Sequence, residues 1–212
     1  MNMDTEKVTQ EALKIRNKIK AELDHVGNPI AMDLNPVEPF KISDDIKLII
    51  IGQDPTVKNP QSRRFIKKTL NLDKPGGNLK YYIENTICRG FGIDLHNVYA
   101  TNIIKYFYHE PPARTPEILT RHLELNLNLL RNEVIAYPNV PVITLGEPVL
   151  KMLSNNNYDK VRKYWDFQKG TSGHNFMKCN ENGLERSFYP FPHQPSYRRK
   201  FYSDTMDYYL AY

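Results

Sequence analysis

The sequence has only two cysteines, a single tryptophan and no long apolar run. Cys88 and Cys179 are too few for a disulfide framework, a four-thiolate zinc site or an iron–sulfur cluster. No stretch approaches the roughly 20 apolar residues of a membrane span. The segment from Met1 to Gln10 lacks the apolar core of a signal peptide. We therefore expect a reduced, cytoplasmic protein without a metal or cofactor.

Length and composition are typical of an ordinary globular chain. The 212 residues, 40% hydrophobic and 25% charged, suit one domain over residues 1–212, with residues 1–45 forming an N-terminal helix and a loop packed on it. The net charge of +5 has two interpretations, solubility or attraction to a polyanion such as nucleic acid. Where the basic residues lie must decide between them.

Short apolar segments alternate with amphipathic ones along the chain. The run from Ile46 to Ile51, stopped by Gly52, predicts a strand buried on both faces. Further strands are predicted at Asn97–Thr101, Val140–Leu145 and Arg186–Pro190. Helices are predicted at Asp4–Asp24, Gln61–Leu70 and Asn78–Arg89, from Thr115-Pro116 to Val134, around Leu150 and Leu153, and from Ser196 to about Leu210. The segment Asp159–Glu185 is predicted to be polar and irregular. This order predicts a three-layer α/β/α sandwich around a mainly parallel sheet of about four strands.

Three chemically capable side chains follow three of the predicted strands. Asp54 comes shortly after the first strand, Asn102 directly after the second, and His193 shortly after the last. In open parallel sheets, ligands bind outside the carboxyl ends of the strands. If the strands are parallel, the three side chains meet at one edge and form a site.

Several short motifs resemble those of family-one uracil-DNA glycosylases, in the family's order across residues 46–201. Gly52-Gln53-Asp54-Pro55 is similar to the start of the motif Gly-Gln-Asp-Pro-Tyr-His, and His193-Gln194-Pro195-Ser196 to the motif His-Pro-Ser-Pro. The segments 98–102 and 142–146 resemble two further strands of the family. The resemblance implies a uracil-DNA glycosylase-like fold and a base-excision enzyme that acts as a monomer on single- or double-stranded DNA.

The resemblance implies a role for each residue, and the chemistry agrees. Cleavage of an N-glycosidic bond develops positive charge on the sugar and negative charge on the base. The Asp54 carboxylate is expected to stabilise the cation and orient water, and a neutral His193 to donate a hydrogen bond to the anion. The amide of Asn102 and the backbone at Gln53 are expected to bind a flipped base.

Each of these residues also has an ordinary structural interpretation. Asp54 before Pro55 is a common turn residue, although the full motif after a buried strand favours function. For Asn102, a turn cap and a base-binding role are about equally supported. A lone histidine is usually structural, but the setting Pro-Phe-Pro-His-Gln-Pro-Ser favours a functional His193.

Basic residues cluster after both motifs. The first cluster is Lys58, Arg63, Arg64, Lys67 and Lys68, and the second is Arg198, Arg199 and Lys200. We expect Arg63, Arg64, Arg198 and Arg199 to contact DNA, together with Pro55, Ser196 and Tyr197. A solvated helix face is the alternative for the charges. For Ser196 the alternative is a helix cap, and for Tyr197 a ring packed on its neighbours.

The chain departs from the family at three places. Thr56-Val57 replaces the family's Tyr-His, in which the tyrosine bars the methyl group of thymine, and Gln194 is interposed in the second motif. The phenylalanine that stacks on uracil has Phe65 and Leu70 as candidate counterparts. Uracil or another damaged base is therefore the expected substrate. The alternatives are a non-catalytic nucleic-acid-binding protein and, with less support, a nucleotide-binding module built on Gly52 and Gly146.

Overall fold

Four parallel strands form the centre of the fold. The computed structural model describes residues 3–22, 29–112, 116–155, 160–165, 175–194 and 196–211. The strands are β1 (Leu48–Gly52), β2 (Val98–Asn102), β3 (Val142–Leu145) and β4 (Tyr189–Phe191), in the spatial order β2-β1-β3-β4. All pairings between neighbouring strands are parallel, which confirms the predicted sheet.

Helices cover both faces of the sheet. Every residue of β1, β2 and β3 is buried. Because successive residues of a strand face opposite sides, such burial requires cover on both faces. The helices are α1 (Thr5–Glu22), α2 (Pro60–Arg63), α3 (Asn78–Tyr82, continued by a π-helical turn at Ile83–Cys88), α4 (Pro116–Ile135), α5 (Glu147–Leu153), α6 (Val161–Tyr164) and α7 (Lys200–Ala211). The predicted α/β fold is thus confirmed.

The N-terminal helix packs against the long helix α4. Val8 and Ala12 of α1 form a buried cluster with Leu129 of α4. The Arg16 guanidinium, also buried, donates to the Leu34 carbonyl at 2.6 Å. These contacts attach α1 to the rest of the described fold. No helix among the described residues is both long and apolar enough to cross a membrane.

Most of the helix predicted at Gln61–Leu70 does not form. The α-helix there is α2, which ends at Arg63, and a short 3₁₀ turn follows at Thr69–Asn71. The backbone beyond it pairs instead with Glu38, whose N–H donates to the Lys67 carbonyl at 3.1 Å and whose carbonyl accepts from the Thr69 N–H at 2.9 Å. These tertiary hydrogen bonds outweigh the modest helix propensity of the segment.

Smaller differences occur nearer the C-terminus. The segment 159–185, predicted to be irregular, contains α6 and the fully buried Trp165. Trp165 donates from its indole N–H to the Pro190 carbonyl at 2.6 Å, which ties this segment to β4. The strand predicted at Arg186–Pro190 begins three residues later, at Tyr189. Thr115, where the predicted fourth helix begins, lies outside the described residues.

Candidate functional site

A cleft of about 760 Å³ opens at the carboxyl ends of the strands. Asp54, Asn102 and His193 all line it, as the strand-end argument predicted. The register explains this arrangement, because Gly52 of β1 pairs with Asn102 of β2. On the other side of β1, the N–H of Gly146, directly after β3, donates to the Phe191 carbonyl of β4 at 2.8 Å.

The carboxyl of Asp54 is held by the residue that replaces the family's tyrosine. The Thr56 N–H donates to Asp54 Oδ1 at 2.7 Å, and the Thr56 side chain also hydrogen-bonds the carboxyl. The Thr56 hydroxyl in turn accepts from the Tyr108 N–H at 3.0 Å. Asp54 is therefore at once a turn residue and a residue of the cleft.

Burial raises the pKa of Asp54 to about 6. Hydrogen bonds from Thr56 and the nearby charge of Arg63 act in the opposite direction but are outweighed. The carboxyl is therefore mostly ionised at neutral pH, although its charge is costly there. A raised pKa that arises from desolvation next to a cleft is typical of a functional carboxylate.

Asn102 occupies a slot that exists only because residue 52 is glycine. A Cβ at position 52 would lie 2.4 Å from Asn102 Oδ1, well inside van der Waals contact. Asn102 is 1% exposed, and its Oδ1 has no hydrogen-bond partner among the described residues. Buried amide oxygens are nearly always paired, so this atom is available to a ligand in the cleft.

His193 lies against a second strand-end glycine. A Cβ at Gly146 would lie 3.0 Å from His193 Cβ, and Gly146 has a φ of +91°. The ring Nδ1 faces the carbonyl of Gln194, the interposed residue. An Nδ1 that donates to this carbonyl leaves a neutral ring with an accepting Nε2, so donation from Nε2 requires the protonated ring. A neutral His193 that donates from Nε2, as the resemblance implies, requires the other tautomer and does not donate from Nδ1 to Gln194.

Leu70, of the two candidates for the stacking position, lies in the cleft. Its Cδ2 would be 3.1 Å from a Cβ at Gly52, whereas Phe65 is 67% exposed and is not part of the cleft lining. Leu70 and Asn71 have φ values of 58° and 54°, a conformation that non-glycine residues adopt rarely and often at functional sites. Asn71 also lines the cleft, and its buried Oδ1 has no partner among the described residues.

The first basic cluster divides into three kinds of residue. Arg63 is buried and donates to the carbonyls of Val57, Tyr108 and His109 at 2.8–3.0 Å, so it holds the loop and has little surface to offer DNA. Lys68 pairs with Glu38 at 2.5 Å. The remaining residues, Lys58, Arg64 and Lys67, are exposed, and only Lys58 lines the cleft.

The second cluster follows the last site loop and is exposed. Arg198 and Arg199 are exposed, and Arg198 lies over the ring of Tyr197, 5.7 Å from its centroid. Tyr197 also stacks on Tyr82, with ring centroids 4.1 Å apart. This packing on a neighbour is the alternative to DNA contact that the sequence left open. The Ser196 N–H donates to the His193 carbonyl at 2.7 Å and so closes the turn that carries the histidine.

A match to a known protein family covers most of the chain. The family model of the uracil DNA glycosylase superfamily matches residues 39–211. The chain belongs to this superfamily. Membership indicates a glycosylase-type hydrolase that acts on DNA. A comparison with individual curated proteins gives no significant match.

Some residues of this glycosylase-type cleft could not be found from the sequence. Asn71 follows a basic segment that indicates a helix, and the left-handed backbone of Leu70 and Asn71 has no local signal such as glycine. Leu70 is a candidate from the family resemblance alone. Pro111 and Pro112 also line the cleft and belong to none of the motifs. The contact of Gly146 with His193 depends on the β3–β4 pairing, which no local pattern indicates.

Replacement of Gly146 by alanine is expected to displace His193. Gly146→Ala places a Cβ 3.0 Å from His193 Cβ and strains a backbone with φ of +91°. Gly92→Ala is the matched control, because Gly92 has φ of +66° and open space around it. Both variants should lose about 1–3 kcal/mol of unfolding free energy, but only Gly146→Ala should lower base-release activity. Equal activities of the two variants would contradict the contact.

Replacement of Asp54 by asparagine is expected to stabilise the protein in a pH-dependent way. A folded-state pKa of about 6, raised by burial, means that Asp54 stabilises the fold below its unfolded pKa and that this contribution is lost as the pH rises through about 6. Asp54→Asn should therefore gain on the order of 1–3 kcal/mol over wild type at pH 7.5 and little at pH 4. Chemical denaturation at both pH values measures the difference. Asp207→Asn, on the exposed face of α7, should show no such trend.

Proposed function

We propose that this protein hydrolyses the N-glycosidic bond of uracil or a related damaged base in DNA. The observation that carries the proposal is the convergence of Asp54, Asn102 and His193 on one cleft, where Asn102 Oδ1 is buried and has no hydrogen-bond partner among the described residues. Membership of the superfamily supports the reaction class.

The target base must leave the duplex to reach this cleft, because its glycosidic bond is otherwise inaccessible. The apolar side chain of Leu70 offers a surface for the base, beside the amide of Asn102. An amide presents one acceptor and two donors, which complement the N3–H and O4 of a uracil-like edge. Gln53 also lines the cleft, and its backbone is proposed to contact the base.

Bond cleavage then separates charge across the cleft. The Asp54 carboxylate stabilises the cationic sugar and orients the attacking water, and the base departs as an anion. His193, when protonated, donates from Nε2 to this anion. Water adds to the anomeric carbon, its proton is released, and the base takes up a proton, which leaves an abasic site and the free base.

Thr56 widens the range of bases to be tested. Its hydroxyl is occupied by the Tyr108 N–H and the Asp54 carboxyl, so it anchors the loop. It is also much smaller than the family's tyrosine, which bars the methyl group of thymine. The proposal therefore includes bases with a substituent at C5 as well as uracil.

The decisive assay is base release from oligonucleotides. Single- and double-stranded substrates carrying uracil, thymine mismatches and a panel of damaged bases are incubated with the protein and cleaved with alkali at abasic sites. Cleavage at one or more of these bases is expected. Asp54→Asn should lower the rate at least about 100-fold, whereas Asp207→Asn should not. Salt-dependent DNA binding without base release, unchanged by Asp54→Asn, would support a non-catalytic binding protein instead.

The second basic cluster is expected to contact the DNA backbone. Arg198→Ala/Arg199→Ala removes two exposed charges beside the His193 turn and should reduce the slope of log K against log salt by about 2. Lys7→Ala/Lys14→Ala removes the same charge from the exposed face of α1. Fluorescence anisotropy at several salt concentrations compares the two variants. A slope that changes equally in both would point to net charge alone.

A further inference from the structure

A fully buried ion pair lies behind the end of β2. Lys105 Nζ and Glu133 Oε1 are 2.5 Å apart, and both side chains are 0% exposed. The pair joins the segment after β2 to the last turn of α4. Desolvation of two charges costs several kcal/mol per ion, so a buried pair is weak evidence for a purely stabilising role.

The pair extends in both directions through hydrogen bonds. Glu133 Oε2 accepts from the Tyr99 hydroxyl at 2.7 Å, and Lys105 Nζ donates to the Asn102 backbone carbonyl at 2.9 Å. Burial and the carboxylate of Glu133 raise the pKa of Tyr99, which keeps the phenol protonated and donating. The chain of contacts therefore runs from Tyr99 to the peptide of Asn102 without reaching solvent.

The Asn102 peptide is thereby held on both sides. Its carbonyl accepts from Lys105, and the following N–H, of Ile103, donates to the Gly52 carbonyl at 2.9 Å. A peptide fixed at both ends also fixes the direction of the preceding Cα–Cβ bond. The side-chain amide then enters the slot beside Gly52, where Oδ1 has no partner in the described structure.

We propose that Lys105 and Glu133 are positioning residues that fix the amide of Asn102 and so set discrimination between bases. This inference rests on the proposed function, because it assigns the base-reading role to Asn102. An amide that can rotate offers either its oxygen or its nitrogen to a base edge, whereas a fixed amide distinguishes uracil from cytosine. Loss of the Lys105 hydrogen bond should therefore relax selectivity more than it slows bond cleavage.

The test compares two variants that differ at one position. Lys105→Met/Glu133→Gln removes both charges and the donor to Asn102, while Lys105→Gln/Glu133→Gln removes both charges but keeps a donor at position 105. Neither leaves an unpaired buried charge, which would itself unfold the protein. The ratio of kcat/KM for uracil to that for cytosine should fall about tenfold in the methionine variant and stay within about threefold of wild type in the glutamine variant.

Arg16→Met is the control for general destabilisation. Arg16 is another buried cation that donates to a backbone carbonyl, that of Leu34, but neither residue lines the cleft. It should lower the melting temperature and leave the selectivity ratio unchanged.

Tyr99→Phe, which removes only the phenol's hydrogen bond to Glu133, is the mild variant for use if the methionine variant does not fold, and should lower the ratio about threefold. The inference is overturned if the uracil-to-cytosine ratio of kcat/KM is unchanged in every variant that folds and lacks one of these hydrogen bonds.

A second readout separates this inference from the proposed function. The side-chain amide of Asn102, followed by ¹⁵N NMR, should be ordered in the wild-type protein and in the glutamine variant, and averaged in the methionine variant. A wild-type protein that releases no base would contradict the proposed function, yet these spectra would still decide whether Lys105 positions Asn102. An equally ordered amide in all three proteins would refute the positioning role.

Discussion

The close approach of Asn102 to Gly52 is the constraint on which the site depends. The two residues are partners at the last position of the β1–β2 ladder, and no side chain at residue 52 would leave room for the amide. The parallel register thus decides which side chain enters the cleft. A shift of one residue would turn Asn102 to the opposite face of the sheet, since side chains alternate along a strand.

The same arrangement recurs on the other side of β1. Gly146, at the end of β3, admits His193 from the loop after β4, as Gly52 at the end of β1 admits Asn102. The strands bring the two glycines and their partners to one edge of the sheet. The loop after β1 brings Asp54 to the same edge. The sheet is therefore both the core of the protein and the frame that fixes the spacing of the functional groups.

The sequence predicted the sheet and the convergence of three residues, because these follow from local patterns. A continuous apolar run such as Leu48–Ile51 indicates a strand buried on both faces, and parallel strands bring their carboxyl ends together. It did not predict the loop wall of the cleft. The backbone near Leu70 is set by hydrogen bonds to Glu38, and the donors of Arg63 by carbonyls far along the chain. Such contacts have no periodicity to detect.

The departures from the family motifs form a consistent set once the contacts are known. Thr56 is smaller than the family's tyrosine. It hydrogen-bonds the Asp54 carboxyl and accepts a hydrogen bond from the Tyr108 backbone N–H. The Gln194 carbonyl faces His193 Nδ1. A ring that donates from Nδ1 to this carbonyl can donate from Nε2 as well only when both nitrogens carry a proton. Leu70, the candidate for the stacking position that lies in the cleft, places an aliphatic side chain beside Gly52. Thr56 contacts the Asp54 carboxyl, Gln194 contacts the His193 ring, and Leu70 lies beside Asn102 across Gly52, so the departures from the family bear on bond cleavage as well as on base choice.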